Sequence, residues 1–255
     1  MTGSRGSAYR LLALDMDGTL LDDDKRISRE NRLWIARARE TGVVVCLATG
    51  RGMHSLLPYA EELGLDGPFV AANGGEVWRS RAELLARRPL DRHDVSWLRG
   101  LAVRHRLRYW AYASDGVYDA EHWPLAAGRH VWLKFGVWAT DGHVREMLRE
   151  KAKRRGTLEV TNSHPLNLEF NARGVSKAAG LRLVCEAFGI AMDEVVAVGD
   201  SLNDVAMIRE AGLGVAMGNA QPEVLAAADV VTASNAEDGV ARVIREFVLG
   251  GARRG

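Results

Sequence analysis

Residues 11–20 read LLALDMDGTL, a run of four apolar residues that leads directly into Asp15, Met16 and Asp17. A short strand that is apolar at every position is typical of a parallel sheet covered on both faces by helices. Gly18 allows the chain to leave this strand in a tight turn. Because open parallel sheets bind ligands at the carboxyl ends of their strands, we expect both carboxylates to lie at the functional edge.

The same alternation of strand and helix continues along both ends of the chain. Apolar runs of strand length recur at VVVCLAT (43–49), PFVAAN (68–73), VVAVGD (195–200), LGVAM (213–217) and DVVTA (229–233), with helical patterns at 28–40, 54–63, 176–188, 204–210 and 222–227. This order predicts an α/β fold, a Rossmann-like three-layer core with a mostly parallel sheet.

The middle of the chain has a different composition. Residues 80–170 hold five of the seven Trp and six of the seven His, with 16 basic and 11 acidic residues against 18 and 22 elsewhere. Alternating aromatic pieces such as RYWAYAS (108–114) and HVWLKFGVW (130–138) indicate antiparallel strands. We therefore predict a core of residues 1–79 and 171–255 and an inserted α+β domain of residues 80–170, whose aromatic residues mostly form its own core.

Composition excludes several classes of protein. The 255 residues include 34 basic and 33 acidic ones, so the chain lacks the strong positive field of a nucleic-acid-binding protein. Cys46 and Cys185 lie in apolar patterns and are too few for a disulfide framework. No apolar run is long enough for a membrane span. We expect a cytoplasmic monomer or homodimer with no nucleic-acid or membrane partner.

Polar groups follow three further strand or loop ends. Thr49 and Gly50 end the second strand, where a hydroxyl and a glycine amide can approach an anion. Lys177 lies in the first turn of a helix, where its ammonium group can reach a phosphate. In the segment GDSLND (199–204), Asp200 ends another apolar strand, and Asn203 and Asp204 follow as a helix begins.

The combination of these polar groups indicates a binding site more strongly than any one of them alone. Asp15 and Asp17 alone could form a solvated turn, but carboxylates this close stay ionised only when a cation or a proton compensates them. Their hard oxygen ligands favour Mg²⁺. A single parallel sheet would bring four segments to one edge, namely those that contain Asp15 and Asp17, Thr49 and Gly50, Lys177, and Asp200 to Asp204. Their proximity favours a phosphate site over an ordinary solvated turn.

In order, DMDGTL (15–20), ATGR (48–51), GVSKAAG (174–180) and GDSLND (199–204) resemble the four motifs of the haloacid dehalogenase-like phosphatase superfamily. Thr49 follows Asp15 by only 34 residues, whereas Lys177 follows Thr49 by 128, which leaves room for a cap domain. A cap in that interval is similar to the Cof-type, or IIB, subfamily. AANGG (71–75) and VAMGNA (215–220) also look like its signatures, although NGA is commoner there than Asn73-Gly74-Gly75.

The resemblance implies a Mg²⁺-dependent phosphatase of small phosphorylated metabolites such as sugar phosphates, nucleotides, or flavin or pyridoxal phosphate. Asp15 would attack phosphorus to form an aspartyl-phosphate, and Asp17 would act as general acid and then base. Mg²⁺ would be held by Asp15, the backbone carbonyl of Asp17 and Asp200. Asp204 would support the site. The groups implied to bind phosphate oxygens are the Met16 amide, Thr49, the Gly50 amide, Lys177 and Asn203.

Two other functions compete with this reading. A phosphomutase or phosphotransferase would use the same aspartyl-phosphate, but the mutases that we would compare carry their cap between the first two motifs. A ligand-binding relative without catalysis would be expected to lack Asp15 or Asp17. Arg51 either steadies its loop or touches substrate, and the positive charge of the insert is expected to help gather an anionic substrate.

Overall fold

The computed structural model describes residues 9–124 and 126–250, which form two β-sheets with helices packed against them. The strands, numbered along the chain, are β1 (Leu11–Leu14), β2 (Val44–Ala48), β3 (Phe69–Ala71), β4 (Glu76–Ser80), β5 (Glu83–Arg87), β6 (Arg108–Ala113), β7 (Gly116–Asp119), β8 (Trp132–Trp138), β9 (Leu158–Thr161), β10 (Asn167–Ala172), β11 (Val195–Gly199), β12 (Leu213–Ala216) and β13 (Val230–Val231).

The helices follow the periodicity of the sequence. They are α1 (Arg29–Glu40), α2 (Met53–Glu62), α3 (Arg92–Arg104), α4 (Gly142–Arg155), α5 (Lys177–Phe188), α6 (Val205–Glu210), α7 (Pro222–Leu225) and α8 (Gly239–Val243), and a π-helical turn (Ile244–Val248) extends the last of them. Ser28 caps α1, since its hydroxyl accepts a hydrogen bond from the amide of Asn31 at 3.0 Å. None of the helices in the described residues is long and apolar enough to cross a bilayer.

The larger sheet has the order β13-β12-β11-β1-β2-β3-β4-β5. Its strands pair in parallel from β13 to β3, whereas β4 and β5 are antiparallel additions at one edge. All four residues of β1 are buried, with β11 on one side and β2 on the other. Helices cover both faces, which confirms the predicted α/β core and brings the carboxyl ends of β1, β2 and β11 together.

The smaller sheet is antiparallel, with the order β7-β6-β8-β10-β9. One of its faces packs on α3 and α4 around a second apolar core that includes Leu98, Leu148 and Phe135. This is the α+β arrangement that the alternating aromatic segments predict. Cys46 and Cys185 are buried and unpaired, as expected.

The strands that belong to each sheet show where the chain passes from the larger sheet to the smaller sheet and back. Residues 83–87 lie within the predicted insert, yet β5 pairs with β4 in the larger sheet, because the hairpin continues the sheet edge before the chain departs. At the other end, β10 continues the smaller sheet to Ala172. We propose that the core and cap domains meet just after Arg87 and just after Ala172, rather than at residues 80 and 170.

Candidate active site

The turn after β1 holds Asp15 at the carboxyl end of the central strand. Its amide donates to the carbonyl of Val198 at 3.0 Å, and its side chain is buried. Gly18 lies in the same turn with a φ of +81°, and a Cβ atom there would lie 2.5 Å from Oδ2 of Asp200. Both the left-handed backbone and the close approach of Asp200 therefore require glycine.

Lys177 joins the amino end of α5 to this turn. Ser176 caps the helix by accepting a hydrogen bond from the amide of Ala179. The Nζ atom of Lys177 lies 2.5 Å from Oδ1 of Asp15 and 2.7 Å from Oδ1 of Asp204, and its side chain is wholly buried. Burial alone would lower the pKa of Lys177, but the two carboxylates raise it above its ordinary value, so this lysine is an ammonium ion.

Three carboxylates converge beside Lys177. Asp15, Asp200 and Asp204 each offer an oxygen within 4.8 Å of the others. Burial, together with the charge of Asp204, raises the pKa of Asp15 well above its ordinary value and that of Asp200 to about 7. When ionised, the three carboxylates exceed the charge of Lys177 by two. A divalent cation that prefers oxygen ligands fits this site in both charge and donor type.

Asp204 is the most constrained member of this acidic cluster. Its Oδ2 atom accepts hydrogen bonds from the amides of Asp200 and Ser201, both at 3.0 Å, while Oδ1 accepts from Lys177. Gly199 lets the carboxylate approach, because a Cβ atom there would lie 2.4 Å from the side chain of Asp204. Both oxygens are thus engaged in fixing the loop, which favours a supporting role over direct metal binding.

The carboxylate of Asp17 pairs with two cations. Arg51 donates from Nε to Oδ2 at 2.7 Å and from Nη2 to Oδ1 at 2.8 Å, and Nζ of Lys25 lies 2.8 Å from Oδ1. Burial would raise the pKa of Asp17, but these hydrogen bonds and charges hold it below its ordinary value. Arg51 also lies over the ring of Tyr59 at 4.9 Å. In this structure Arg51 therefore holds the side chain of Asp17, and its contact with substrate stays a prediction.

Thr49 and Gly50 follow β2 at the same edge. The amide of Thr49 donates to the carbonyl of Val70 at 2.8 Å, and its hydroxyl accepts from the amide of Arg51 at 3.2 Å. Met16 lies between the two aspartates with its side chain buried. The contacts of these groups with phosphate remain predictions.

Asn203 approaches from the loop after β11. Its Nδ2 atom donates to Oδ1 of Asn73 at 3.1 Å, while its own buried Oδ1 has no hydrogen-bond partner among the described residues. Five of the nine sequence-predicted residues, Asp15, Asp17, Thr49, Gly50 and Asn203, line one cavity of about 70 Å³, whereas Met16, Lys177, Asp200 and Asp204 are not part of its lining. Its lining combines Asp15, Asp17, Thr49, Gly50, Arg51, Ser201 and Asn203 from the core with Tyr112, Lys134, Ser163 and Glu169 from the smaller sheet.

The smaller sheet turns its second face to this cavity. In β6 and β8, Arg108 is paired with Trp138 and Tyr112 with Lys134, so these four side chains share one face. The residues that alternate with these four along the strands, among them Tyr109 and Phe135, pack with α3 and α4 in the apolar core of the cap. The alternation of the cap strands therefore separates an apolar face from a polar and aromatic face that covers the acidic cluster.

A second cavity of about 810 Å³ adjoins Asp17 and is called the cap pocket here. It is lined by Asp17, Lys25, Arg108, Tyr109, Trp110, Tyr112, Val117, Asp119, Ala120, Glu121, Trp138, Ser163, His164 and Asn167. The indole of Trp110 lies directly over Gly136, where a Cβ atom would be 2.3 Å from the ring. Trp138 stacks with His164 at a centroid distance of 4.7 Å. Aromatic faces thus border the acidic site.

The tryptophans of the insert divide between two roles. Trp132 is buried and stacks on Trp123 at 5.1 Å within the cap core, as expected for aromatic residues of a small domain. Trp110 and Trp138 are only partly buried and face the cap pocket. Strand parity alone does not distinguish Trp132 from Trp138, because both are even-numbered residues of β8. The pairing of β6 with β8 shifts register between Lys134 and Trp132, and this irregularity separates Trp132 from the face that holds Trp110 and Trp138.

Sequence reasoning missed four polar residues at this site, namely Lys25, Asn73, Lys134 and Glu169. One signal was present in the composition, because only five of the 34 basic residues are lysines. Three of those five, Lys25, Lys134 and Lys177, contact carboxylates around the cavity. A scarce residue type was therefore concentrated where a compact positive charge is needed.

Known proteins resemble this chain along most of its length. A family model of haloacid dehalogenase-like hydrolases matches residues 12–131 and 119–244. The chain is 45% identical over 240 residues, 94% of this chain and 96% of the relative, to the 5-amino-6-(5-phospho-D-ribitylamino)uracil phosphatase YcsE of Bacillus subtilis strain 168. It is 32% identical over 268 residues, 93% and 97% of the two chains, to YitU, a phosphatase of the same name in that bacterium.

The fold has equally extensive matches. The solved structure of a sugar phosphatase of haloacid dehalogenase subclass IIB aligns with a TM-score of 0.82 at 23% identity, over 94% of this chain and 99% of that chain. The family model and the two relatives confirm the resemblance predicted from the four motifs, and the solved structure confirms the fold.

Proposed function

The chain belongs to the haloacid dehalogenase-like hydrolases and is a phosphoric monoester hydrolase, and we propose that it is a Mg²⁺-dependent phosphatase that works through an aspartyl-phosphate on Asp15. The buried contact of Asp15 with Lys177, beside Asp200, carries this proposal. It combines a carboxylate nucleophile with a fixed ammonium ion and with further oxygen ligands for a cation.

The proposed reaction has two steps. An oxygen of Asp15 attacks phosphorus in line, the bond from phosphorus to the ester oxygen breaks, and the leaving oxygen takes a proton from Asp17. Water then attacks phosphorus, gives a proton to Asp17 and releases inorganic phosphate as the bond to Asp15 breaks. Asp17 is thus returned to its protonated form, ready for another substrate.

Asp17 must be protonated for the first step, although Arg51 and Lys25 hold its pKa low in this structure. An incoming phosphate dianion competes for both cations. As they turn to the substrate, burial becomes the stronger influence and the pKa of Asp17 rises towards the value that an acid needs. The two cations therefore link substrate binding to the protonation of the acid.

Asp15, Asp200 and the backbone carbonyl of Asp17 would hold Mg²⁺, as the excess negative charge of the acidic cluster favours. When bound, Mg²⁺ would neutralise charge on the phosphoryl group. The remaining charge on the phosphate oxygens would be stabilised by Lys177 and by hydrogen bonds to the other groups. Those groups are the Met16 amide, the Thr49 hydroxyl, the Gly50 amide and the Asn203 side chain.

We infer that the leaving group contains an aromatic ring, and specifically that the substrate is 5-amino-6-(5-phospho-D-ribitylamino)uracil. The relative with 45% identity is named for that activity. The ring of Trp110 provides a flat face in the cap pocket, and the carboxylate of Asp119 provides an acceptor suited to the hydroxyls of a ribityl chain. Flavin mononucleotide and pyridoxal phosphate share the pairing of an aromatic ring with a phosphate, so they are the substrates to compare.

Release of phosphate from a panel of phosphomonoesters tests this function. The panel contains the aminouracil substrate, flavin mononucleotide, pyridoxal phosphate, sugar phosphates and nucleotides, each with Mg²⁺ or with a chelator, and Asp15→Asn is the control. We expect Mg²⁺-dependent turnover that is fastest on the aminouracil and absent in the control. Absence of turnover on the whole panel would favour a binding protein, and a product with phosphate at a new position would favour a phosphomutase.

The remaining sequence predictions concern the setting of the enzyme. We propose that it acts in the cytoplasm on small phosphorylated metabolites, as a monomer or homodimer, without nucleic-acid partners. Its two buried, unpaired cysteines fit a reducing compartment. Its nearly equal numbers of basic and acidic residues fit a small-molecule enzyme.

A further inference from the structure

A buried ion pair of the cap lies against the catalytic edge of the core. Lys134 in β8 and Glu169 in β10 point to the same face of the cap sheet, and Nζ of Lys134 lies 2.9 Å from Oε1 of Glu169. Their side chains are 2% and 3% exposed. Charges so deeply buried are tolerated only when every polar atom finds partners, so their further contacts show what the pair does.

Lys134 holds the loop after β2. Its Nζ atom donates to the carbonyl of Gly50 at 2.6 Å, and it lies 4.7 Å from the ring centre of Tyr112. A Cβ atom on Gly50 would be 3.1 Å from this Nζ atom, which shows how closely the cap approaches. The cap therefore fixes the peptide that follows Gly50.

The peptide that precedes Gly50 is fixed from the core. The amide of Asn73 donates to the carbonyl of Thr49 at 3.0 Å. Because a trans peptide directs its carbonyl and its N–H to opposite sides, this bond also sets the direction of the Gly50 amide, the group proposed to bind phosphate. Lys134 and Asn73 thus hold the two peptides on either side of Gly50.

Glu169 sets the orientation of a second phosphate-binding group. Its Oε2 atom accepts from Nδ2 of Asn73 at 2.7 Å. Since a carboxylate only accepts, Asn73 must direct its Oδ1 atom away, where it accepts from Nδ2 of Asn203 at 3.1 Å. Asn203 then keeps a second N–H for an oxygen of bound phosphate. Oδ1 of Asn171 also accepts from Nδ2 of Asn73 at 3.2 Å, so the orientation of both amides follows from the acceptors that Glu169 and Asn171 offer to Asn73.

We propose that Lys134 and Glu169 are positioning residues through which the cap completes the phosphate site, by holding Gly50 directly and Asn203 through Asn73. This inference rests on the proposed phosphatase function. In this arrangement the cap does not only shield the site from water but also orients phosphate-binding groups of the core, since a cap displaced from the core would leave Gly50 and Asn73 without these partners. Substrate phosphate and cap closure then favour each other.

Inhibition by two products separates this role from general stabilisation. The enzyme would be assayed on its best phosphomonoester, with inorganic phosphate and the dephosphorylated alcohol as inhibitors, in the wild type, Lys134→Met and Glu169→Gln. Lys153→Met, an exposed lysine of the cap helix α4, is the matched control. Thermal unfolding would be followed for each variant.

For Lys134→Met we expect the inhibition constant of phosphate to rise and kcat to fall by about tenfold or more, because a charged hydrogen bond is lost. The inhibition constant of the alcohol should stay within about twofold. Glu169→Gln, which keeps an acceptor for Asn73, should show a smaller change of the same kind. Lys153→Met should match the wild type.

Equal weakening of both inhibitors, or an unchanged phosphate constant, would overturn the positioning role. If Lys134→Met fails to fold, the isosteric Glu169→Gln decides the question by the same two constants. A wild type that hydrolyses no phosphomonoester would instead refute the proposed function. The two failures are therefore distinct.

Discussion

Gly136 shapes the cap pocket by having no side chain. The ring of Trp110 lies against its backbone, in the space that any other residue would fill with a Cβ atom. Gly136 also lies in the interior of β8, where glycine is ordinarily unfavourable. The cost is explained if the ring of Trp110 must lie flat to receive an aromatic leaving group.

Gly136→Ala should therefore change substrate preference. The new methyl group displaces Trp110, so kcat/KM for the aminouracil substrate should fall by about ten- to a hundredfold, the usual worth of stacking on an aromatic side chain. Hydrolysis of glycerol phosphate, which has no ring, should change little. Gly116→Ala in β7 is the control, since its Cβ atom would meet nothing closer than 3.9 Å. An equal loss on both substrates would contradict the stacking role.

The buried carboxylates make metal-free stability depend on pH. Burial raises the pKa of Asp200 to about 7, so in the absence of metal the folded protein keeps a proton that the unfolded chain releases near the ordinary value. Asp15 is shifted in the same direction. The folded state binds more protons in this range, so these groups reduce stability as pH rises from about 4 through about 7.

Mg²⁺ should recover more stability at alkaline than at acidic pH, because it takes the place of the lost protons. We expect the rise in Tm on replacing a chelator with Mg²⁺ to be larger at about pH 8 than at about pH 5.5. Thermal unfolding followed by circular dichroism measures this, and Asp200→Asn should reduce the rise at both values. A rise in Tm that is the same at both pH values would argue against a metal at this cluster.

Residues differ in how readily the sequence predicts their role. The places of Asp15 and Lys177 could be predicted from the sequence, because one follows a recognisable strand and the other begins a recognisable helix. The spacing of the motifs then predicted that the two residues belong to the same site. The roles of Lys134 and Glu169 could not be predicted, since each stands in an alternating strand where a polar residue normally faces water. Their burial depends on the core domain packing over that face, a tertiary fact that local pattern does not contain.

Among the elements, α5 determines the position of Lys177. Gly180, one turn into the helix, lies where a Cβ atom would be 2.6 Å from Cγ1 of Val70. The helix therefore packs closely on the sheet, and this close packing brings Lys177 to Asp15. Helix periodicity predicted α5 almost to the residue, but the depth of its packing depends on this contact.

Gly180→Ala should lower the free energy of unfolding by about 1–3 kcal/mol, because the added methyl group overpacks the interface. It should also lower kcat as Lys177 moves from Asp15. Gly100→Ala in α3 is the matched helical glycine, with nothing within 4 Å of its Cβ position. That variant should gain up to about 1 kcal/mol from helix propensity. Denaturant unfolding compares them, and a stabilised Gly180→Ala would contradict the proposed packing constraint.

At the scale of the whole molecule, the positive charge of the insert is unevenly distributed. α4 alone has six basic and two acidic residues, which accounts for most of the excess. Its buried residues Leu148 and Ala152 pack in the cap core, on the face of the sheet opposite the cap pocket. The charge of the insert that is expected to gather substrate therefore lies partly on α4, away from the site, and partly on Arg108, which lines the cap pocket beside Lys25 of the core.

Neutralising α4 should leave substrate capture nearly unchanged. The cap sheet separates α4 from the site, and exposed charges are screened beyond about 8 Å at physiological ionic strength. We expect Lys151→Gln, Lys153→Gln and Arg154→Gln combined to keep kcat/KM within about twofold, whereas Arg108→Gln should lower it by about three- to tenfold and weaken its salt dependence. The measurement is kcat/KM for a phosphomonoester over a range of salt concentrations. If kcat/KM of the α4 variant instead fell as much as that of Arg108→Gln, substrate would be attracted by the overall charge of the cap rather than by the particular cations of the pocket.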